Sequence, residues 1–209
     1  MSRPKLLDLF CCQGGAGMGY ANAGFEVVGV DINPQPRYPF RFIQADAVEW
    51  CLENSGYFDA IHASPPCQAH TLAHRIQKNE HPDLIGPTRT AIEAAYKPYV
   101  IENVPGAPLL SPIELCGAMF GLRTYRHRLF ESDVPLTAPV HPKHLAKTTK
   151  MGRRLRDGEF MHVVGNFPGA DVGREVMGMP WATRDGLREA IPPAYTEFIG
   201  TQLITHLEE

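Results

Sequence analysis

The stretch Lys5–Tyr20 reads KLLDLFCCQGGAGMGY, and its two halves decide the fold. Lys5 to Phe10 (KLLDLF) is a short apolar run with an acid near its end, the pattern of a buried strand. The glycine cluster Gly14, Gly15, Gly17 and Gly19 follows, then a short helical stretch to Ala23. A glycine-rich turn between strand and helix lets backbone approach a nucleotide-like ligand closely.

Outward from this unit the same alternation continues. Glu26 to Val30 (EVVGV) is a second strand that ends in Asp31, Phe42 to Gln44 a short third, and Ala47 to Asn54 a helix. Phe58 to Ala63 (FDAIHA) is a fourth strand, stopped by Ser64-Pro65-Pro66. Thr88 to Tyr96 reads as a helix with Thr88 as its N-cap, and Tyr99 to Val104 (YVIENV) as a fifth strand. Strands alternating with helices predict an α/β fold with a mostly parallel sheet and ligands beyond the carboxyl ends of the strands. After Phe120 the pattern loosens, and prolines and basic residues dominate from Val134 to Gly158. Phe160 to Val164 reads as a returning strand, and helices are expected over Thr183 to Ala190 and Ala194 to Leu207.

Composition narrows the class. A chain of 209 residues suits one domain with a real core, and 44% hydrophobic against 21% charged residues is a folded rather than disordered composition. No apolar run approaches the ~18 residues of a membrane span. The start MSRPKLLDLF lacks the features of a secretory signal, so a cytoplasmic protein is expected. Cys11, Cys12, Cys51, Cys67 and Cys116 are odd in number and include no CxxC pair, which argues against a disulfide framework and against a zinc site. No metal is expected. Net charge is −3, yet from His141 to Arg156 the chain carries Lys143, Lys147, Lys150, Arg153, Arg154 and Arg156 and no acid, a run suited either to solvent or to phosphate contact.

The chemistry-bearing residues sit at strand ends. Asp31 can accept from two ribose hydroxyls or cap the next turn; Asp46 can accept from an adenine amino group or cap the next helix. Ser64-Pro65-Pro66-Cys67-Gln68 follows the fourth strand, and its prolines hold a thiol on rigid, extended backbone. A free thiol titrates near about 8.5, so Cys67 needs a local environment that favours the thiolate to act as a nucleophile. The fifth strand supplies Glu102-Asn103-Val104. In Tyr125-Arg126-His127-Arg128 the two arginines face one side if the segment is extended.

In this order and on these elements, DLFCCQGGAGMGY, SPPCQ, ENV and RHR resemble the motifs of the DNA cytosine-5 methyltransferase family. The closing REAIPPAYTEFIG resembles that family's last motif, and the match covers most of the chain except about Glu131 to Gly173. The resemblance implies a Rossmann-like class I fold that uses S-adenosylmethionine. Residues 1–130 would form the catalytic and cofactor core, 131–173 a short DNA-recognition region, and 174–209 helices returning to the core. It implies that Cys67 attacks carbon 6 of a flipped-out cytosine, that Glu102 holds ring nitrogen 3 and the amino group, and that Arg128 holds the ring oxygen with Arg126 in support. Phe10, Gly14, Gly15 and Gly17 would surround the methionine part of the donor, Asp31 the ribose, Asp46 the adenine, and Thr201 the carboxylate end. Lys143, Lys147, Lys150, Arg153, Arg154, Arg156 and Arg174 would contact DNA.

The sequence departs from the family pattern at three places. Cys11-Cys12-Gln13 stands where one cysteine and a small polar residue are usual. Gly200 and Thr201 replace the usual Asn and Ser of the last motif, and the recognition region is short. Three alternatives stay open: an RNA (transfer RNA) cytosine-5 methyltransferase, a DNA-binding homologue without catalysis, and transfer of a larger group from a modified donor, which Gly200 motivates.

Overall fold

A computed structural model describes residues 2–66, 83–149, 152–167 and 169–209. Strand β1 (Lys5–Leu9) lies at the centre, with Leu6, Leu7 and Leu9 fully buried. It pairs in parallel with β2 (Glu26–Asp31) on one side and β4 (Ala60–Ala63) on the other. Strands β3 (Arg41–Gln44) and β5 (Tyr99–Asn103) extend the parallel array outward. The far edge reverses: β7 (Arg128–Ser132) runs antiparallel between β5 and β6 (Ile113–Leu115). Among the described residues the sheet has seven strands in the order β3-β2-β1-β4-β5-β7-β6.

A parallel sheet must be covered on both faces, and alternating side chains achieve this. Leu6, Val27, Ala60 and Val100 point to one face, under α1 (Gly15–Ala23) and α6 (Pro193–Glu208). Leu7, Val28, Ile61 and Ile101 point to the other, under α2 (Ala47–Asn54) and α3 (Ile85–Glu93). A third small core forms within 161–190, where Met161, Val163 and Phe167 pack on α4 (Ala170–Met177) and α5 (Arg184–Glu189). The boundary expected after residue 173 therefore falls inside α4.

Helices α1 and α6 approach closely because glycine faces the contact. A Cβ on Gly19 would lie 2.1 Å from Pro193 O, and one on Gly200 would lie 2.8 Å from Ala23 Cβ.

Two expectations are corrected here. Thr88 is not an N-cap: it is buried inside α3, which begins a turn earlier at Ile85. Residues 160–164 form no strand. Met161 and Val163 are buried alternately, as in a strand, but the backbone makes only an isolated bridge, Thr148 to Phe160. Alternation reports one buried face; it does not supply a partner edge. Among the described residues, no helix is long and apolar enough to cross a membrane.

Candidate active site

A cavity of about 270 Å³ opens beyond the carboxyl ends of β1, β2, β4 and β5. Its walls come from far-apart parts of the chain: Phe10 and Gly15, Asp31, Pro65, Glu102, Arg128 and Ile191 all line it. The parallel sheet brings these positions together because every βα unit ends at the same edge.

At one end, β1 turns sharply into α1. Phe10 and Cys12 hold left-handed backbone (φ 56° and 45°), and Gly14 caps the helix at φ 78°. Asp31 ties this turn to β2: its Oδ2 accepts from Cys12 N at 3.0 Å and its Oδ1 from Asn33 N at 2.9 Å. Each oxygen keeps a second lone pair for a ligand. Ile32, next in sequence, is 63% exposed at the cavity rim, an apolar surface beside a strand-end acid.

Asp8 lies at the floor of the same cavity and was not singled out from sequence. Tyr38 donates to its Oδ2 at 2.9 Å, while Oδ1 has no hydrogen-bond partner among the described residues. Burial pushes its carboxyl up to about 8, against the smaller opposing effect of the Tyr38 hydroxyl. The acid inside an otherwise apolar strand was the available signal. Gly17 leaves room for this pair, since a Cβ there would lie 2.7 Å from Asp8 Oδ2.

At the other end stands Glu102, 5% exposed. Arg128 Nε lies 2.9 Å from its Oε1, but without hydrogen-bond alignment, so among the described residues that oxygen has no directed donor. Burial raises the Glu102 carboxyl above its ordinary value, opposed by Arg128, the Ser64 hydroxyl and Arg126. Ser64 in turn meets His62 Nε2 at 2.9 Å, and His62 Nδ1 meets the Tyr20 hydroxyl at 3.0 Å. Burial depresses His62 to about 3, so it is neutral. A neutral ring donates once and accepts once. The chain Tyr20–His62–Ser64–Glu102 is satisfied with Tyr20 donating to Nδ1, Nε2–H donating to Ser64, and Ser64 donating to the carboxyl group.

Three residues hold these walls in place. Asn103 donates from Nδ2 to Pro65 O at 3.0 Å, fastening the proline turn to β5. Gln13 accepts from Thr183 N and donates to Thr183 Oγ1, both at 2.8 Å, joining the glycine turn to the start of α5. That pairing gives the unusual Gln13 a structural role. Arg126, buried and at φ 25°, donates to Ala190 O at 2.8 Å, Val163 O at 2.7 Å and Arg188 O at 2.6 Å.

The sequence-derived site residues therefore separate. Phe10, Gly15, Asp31, Glu102 and Arg128 line the cavity. Gly14 and Gly17 sit behind it, each packed against Tyr38. Arg126 does not line this cavity; it clamps the cavity wall through Ala190 O and Arg188 O. Asp46 is the N-cap of α2, accepting from Val48 N and Glu49 N at 2.9 and 3.0 Å, and does not line the cavity. Thr201 is exposed on α6 and donates to Glu197 O, away from the cavity, because its helix turns the preceding Gly200 toward α1. Gly200 thus opens no space at the cavity, and the motive for a larger donor is removed. Cys67 lies outside the described residues, at the chain position that follows the lining residue Pro66. Burial raises the thiols of Cys11 and Cys12, and that of Cys51 to about 11.

The basic segment is divided too. Lys143, Lys147, Arg154 and Arg156 are exposed. Arg153 pairs with Glu159 at 2.7 Å, and Arg174 pairs with Asp171 and donates to Ala182 O, so both serve their own surroundings. Lys150 lies outside the described residues.

The overall fold recurs in solved methyltransferases. A prophage-encoded E. coli protein assigned as a DNA modification methyltransferase matches with TM-score 0.69 at 16% identity, over 99% of this chain and 100% of that one. The Dnmt2 methyltransferase of S. pombe matches at 0.64 and 12%, over 99% and 100%. The chain has the fold of these methyltransferases. The Entamoeba histolytica methyltransferase EhMeth shares this methyltransferase fold at TM-score 0.63 and 10% identity, over the full length of both chains. No family model and no curated protein sequence matches the chain. Within the methyltransferase fold, the cavity described above is the space beyond the carboxyl edge of the sheet.

Proposed function

We propose that this chain transfers a methyl group from S-adenosylmethionine to carbon 5 of cytosine in DNA. One observation carries the reading: Glu102 and Arg128 share a cavity with Asp31 and the glycine turn, directly beside the Pro65-Pro66 stretch that precedes Cys67. A donor pocket alone would need neither a buried carboxyl group of raised proton affinity nor a cysteine next in sequence to its wall.

The residues fit the donor. Asp31 keeps lone pairs for ribose hydroxyls, Ile32 offers an apolar edge to adenine, and the unpartnered Asp8 Oδ1 is a polar group at the cavity floor. When bound, the sulfonium supplies an electrophilic methyl group. Carbon 5 of cytosine is too weak a nucleophile to take it unaided. Cys67 would add through sulfur to carbon 6, and Glu102 would deliver its proton to ring nitrogen 3 while accepting from the amino group. Its raised proton affinity suits that role. Arg128 would hold the ring oxygen. The electron pair released to carbon 5 takes the methyl group. Loss of the carbon-5 proton then expels the Cys67 sulfur, ring nitrogen 3 returns its proton to Glu102, and the ring is restored. Neither ring carbon is accessible within a duplex, so the base must leave the stack.

The test is to incubate the protein with labelled donor and, in parallel, duplex DNA and transfer RNA, then map the modified base. The expected product is 5-methylcytosine in DNA. Label in transfer RNA alone, or at another position of the base, overturns the reading.

A further inference from the structure

At the β6–β7 edge, four ligand atoms converge from three separate stretches of chain. Cys116 follows β6, His127 immediately precedes β7, and His141 and His144 come from the segment after it. One sulfur and three ring nitrogens all lie within 4.8 Å of one another. Cys116 Sγ is 3.3 Å from His144 Nε2, and His127 Nε2 is 3.1 Å from His141 Nε2. Zinc bonds of about 2.0–2.1 Å to nitrogen and 2.3 Å to sulfur give tetrahedron edges of roughly 3.3–3.7 Å. Both close pairs lie near that spacing, and His141 and His144 are exposed side chains able to rotate into the rest.

We infer that Cys116, His127, His141 and His144 form a structural zinc(II) site that fastens the basic segment to the edge of the sheet.

The surroundings support it. His141 Nδ1 lies 2.9 Å from Pro142 O, a bond in which Nδ1–H must donate, leaving the Nε2 lone pair facing the cluster. His144 is stacked on Tyr125 at 3.6 Å, and the Tyr125 hydroxyl is fixed to Ala146 O. The donor set leaves no open position, which marks a structural rather than a catalytic site. Binding displaces the Cys116 thiol proton, so the filled site carries a net charge of +1 from one thiolate, three neutral rings and Zn²⁺. Residues 133–147 contain no helix or strand; Val134 and Leu136 pack on the main core, and a metal bond would order the stretch that follows them. Lys143 lies between two of the ligands, so its position would follow from the site. His141-x-x-His144 is the short-range signal; a search for CxxC overlooks it, because the sulfur comes from the other side of β7.

The full chain, freed of any affinity tag, should be expressed in zinc-supplemented medium and its metal content measured by mass spectrometry after dialysis. One zinc per chain is expected. Replacement by cobalt(II) should give the intense visible bands of a tetrahedral site and a thiolate charge-transfer band. His141→Ala with His144→Ala, both exposed and therefore compatible with folding, should lose the metal. Cys116→Ala should lose the charge-transfer band, and His206→Ala should change nothing. Zinc that stays sub-stoichiometric in the wild type after reconstitution, or content unchanged in the double histidine variant, overturns the site. None of these readouts uses nucleic acid, so they stand apart from the methyltransferase reading.

Discussion

Arg128 reaches Glu102 across the antiparallel pairing of β7 with β5, its Nε 2.9 Å from Oε1, yet the N–H is not directed at that oxygen. The pair lowers the cost of burying a carboxyl group that lines the cavity. Arg126, two residues earlier, donates from Nε, Nη1 and Nη2 to three main-chain carbonyls.

This arrangement makes Glu102→Gln informative. The amide can imitate both hydrogen bonds to the base but cannot release a proton to ring nitrogen 3. Methyl transfer should fall by roughly two or more orders of magnitude, with donor affinity almost unchanged by calorimetry. A rate within a few-fold of wild type would remove Glu102 from the chemistry.

Cys67→Ala should abolish transfer and leave donor binding intact. DNA carrying 5-fluorocytosine should trap the wild-type protein covalently, since fluorine blocks the final elimination. A variant that still methylates would falsify the covalent mechanism.

Asp8 predicts a pH dependence of stability. Its folded pKa is raised to about 8 from an ordinary 3.8. Between these values the folded state holds a proton that the unfolded chain has lost. Stability therefore falls as pH rises through that window, by up to about 1.4 kcal/mol per pH unit. Asp8→Asn should flatten that slope in denaturant unfolding measured from pH 5 to 8. An equal slope in both proteins would mean that Asp8 is ionised in the fold.

Gly19→Ala tests the α1–α6 contact. The new methyl group meets main-chain Pro193 O and Thr196 Oγ1, each at 2.1 Å, so one helix must move. Overpacking of this kind costs about 2–3 kcal/mol, a fall in Tm of roughly 4–12 °C for a chain of this size. A Tm within a degree of wild type would show that the helices separate freely.

Replacing Lys143, Lys147, Arg154 and Arg156 with glutamine should flatten the salt dependence of DNA binding. Each lost phosphate contact lowers the slope of log K against log salt by about 0.9, so all four together remove between about three and four units. Arg153→Gln should do little to the slope, because that charge is already paired with Glu159. Identical slopes in the fourfold variant and the wild type would place the DNA path elsewhere.

The sequence by itself determined the parallel half of the molecule. Strands β1 to β5, the glycine turn and the acid ending β2 all appear as local patterns, because each strand buried on both faces must be apolar along its length and each tight turn needs particular residues. Helix α2 was legible residue for residue, and Glu102 was placed at the strand end where it lines the cavity. Only the tertiary structure decided the rest. Strands β6 and β7 are short; β7 owes its existence to pairing with β5 and β6 to pairing with β7, contacts invisible along the chain. Arg126 and Arg128 look equivalent in RHR, but one backbone twist at φ 25° sends them to different tasks. Asp46 and Thr201 carry suitable groups, yet a helix cap and a helix face point them away from the cavity. Cys116 meets His141 and His144 only after β7 has crossed the edge of the sheet. Local propensity acts over a few residues, whereas a site is assembled from residues more than a hundred positions apart, and only packing specifies which side chains meet there.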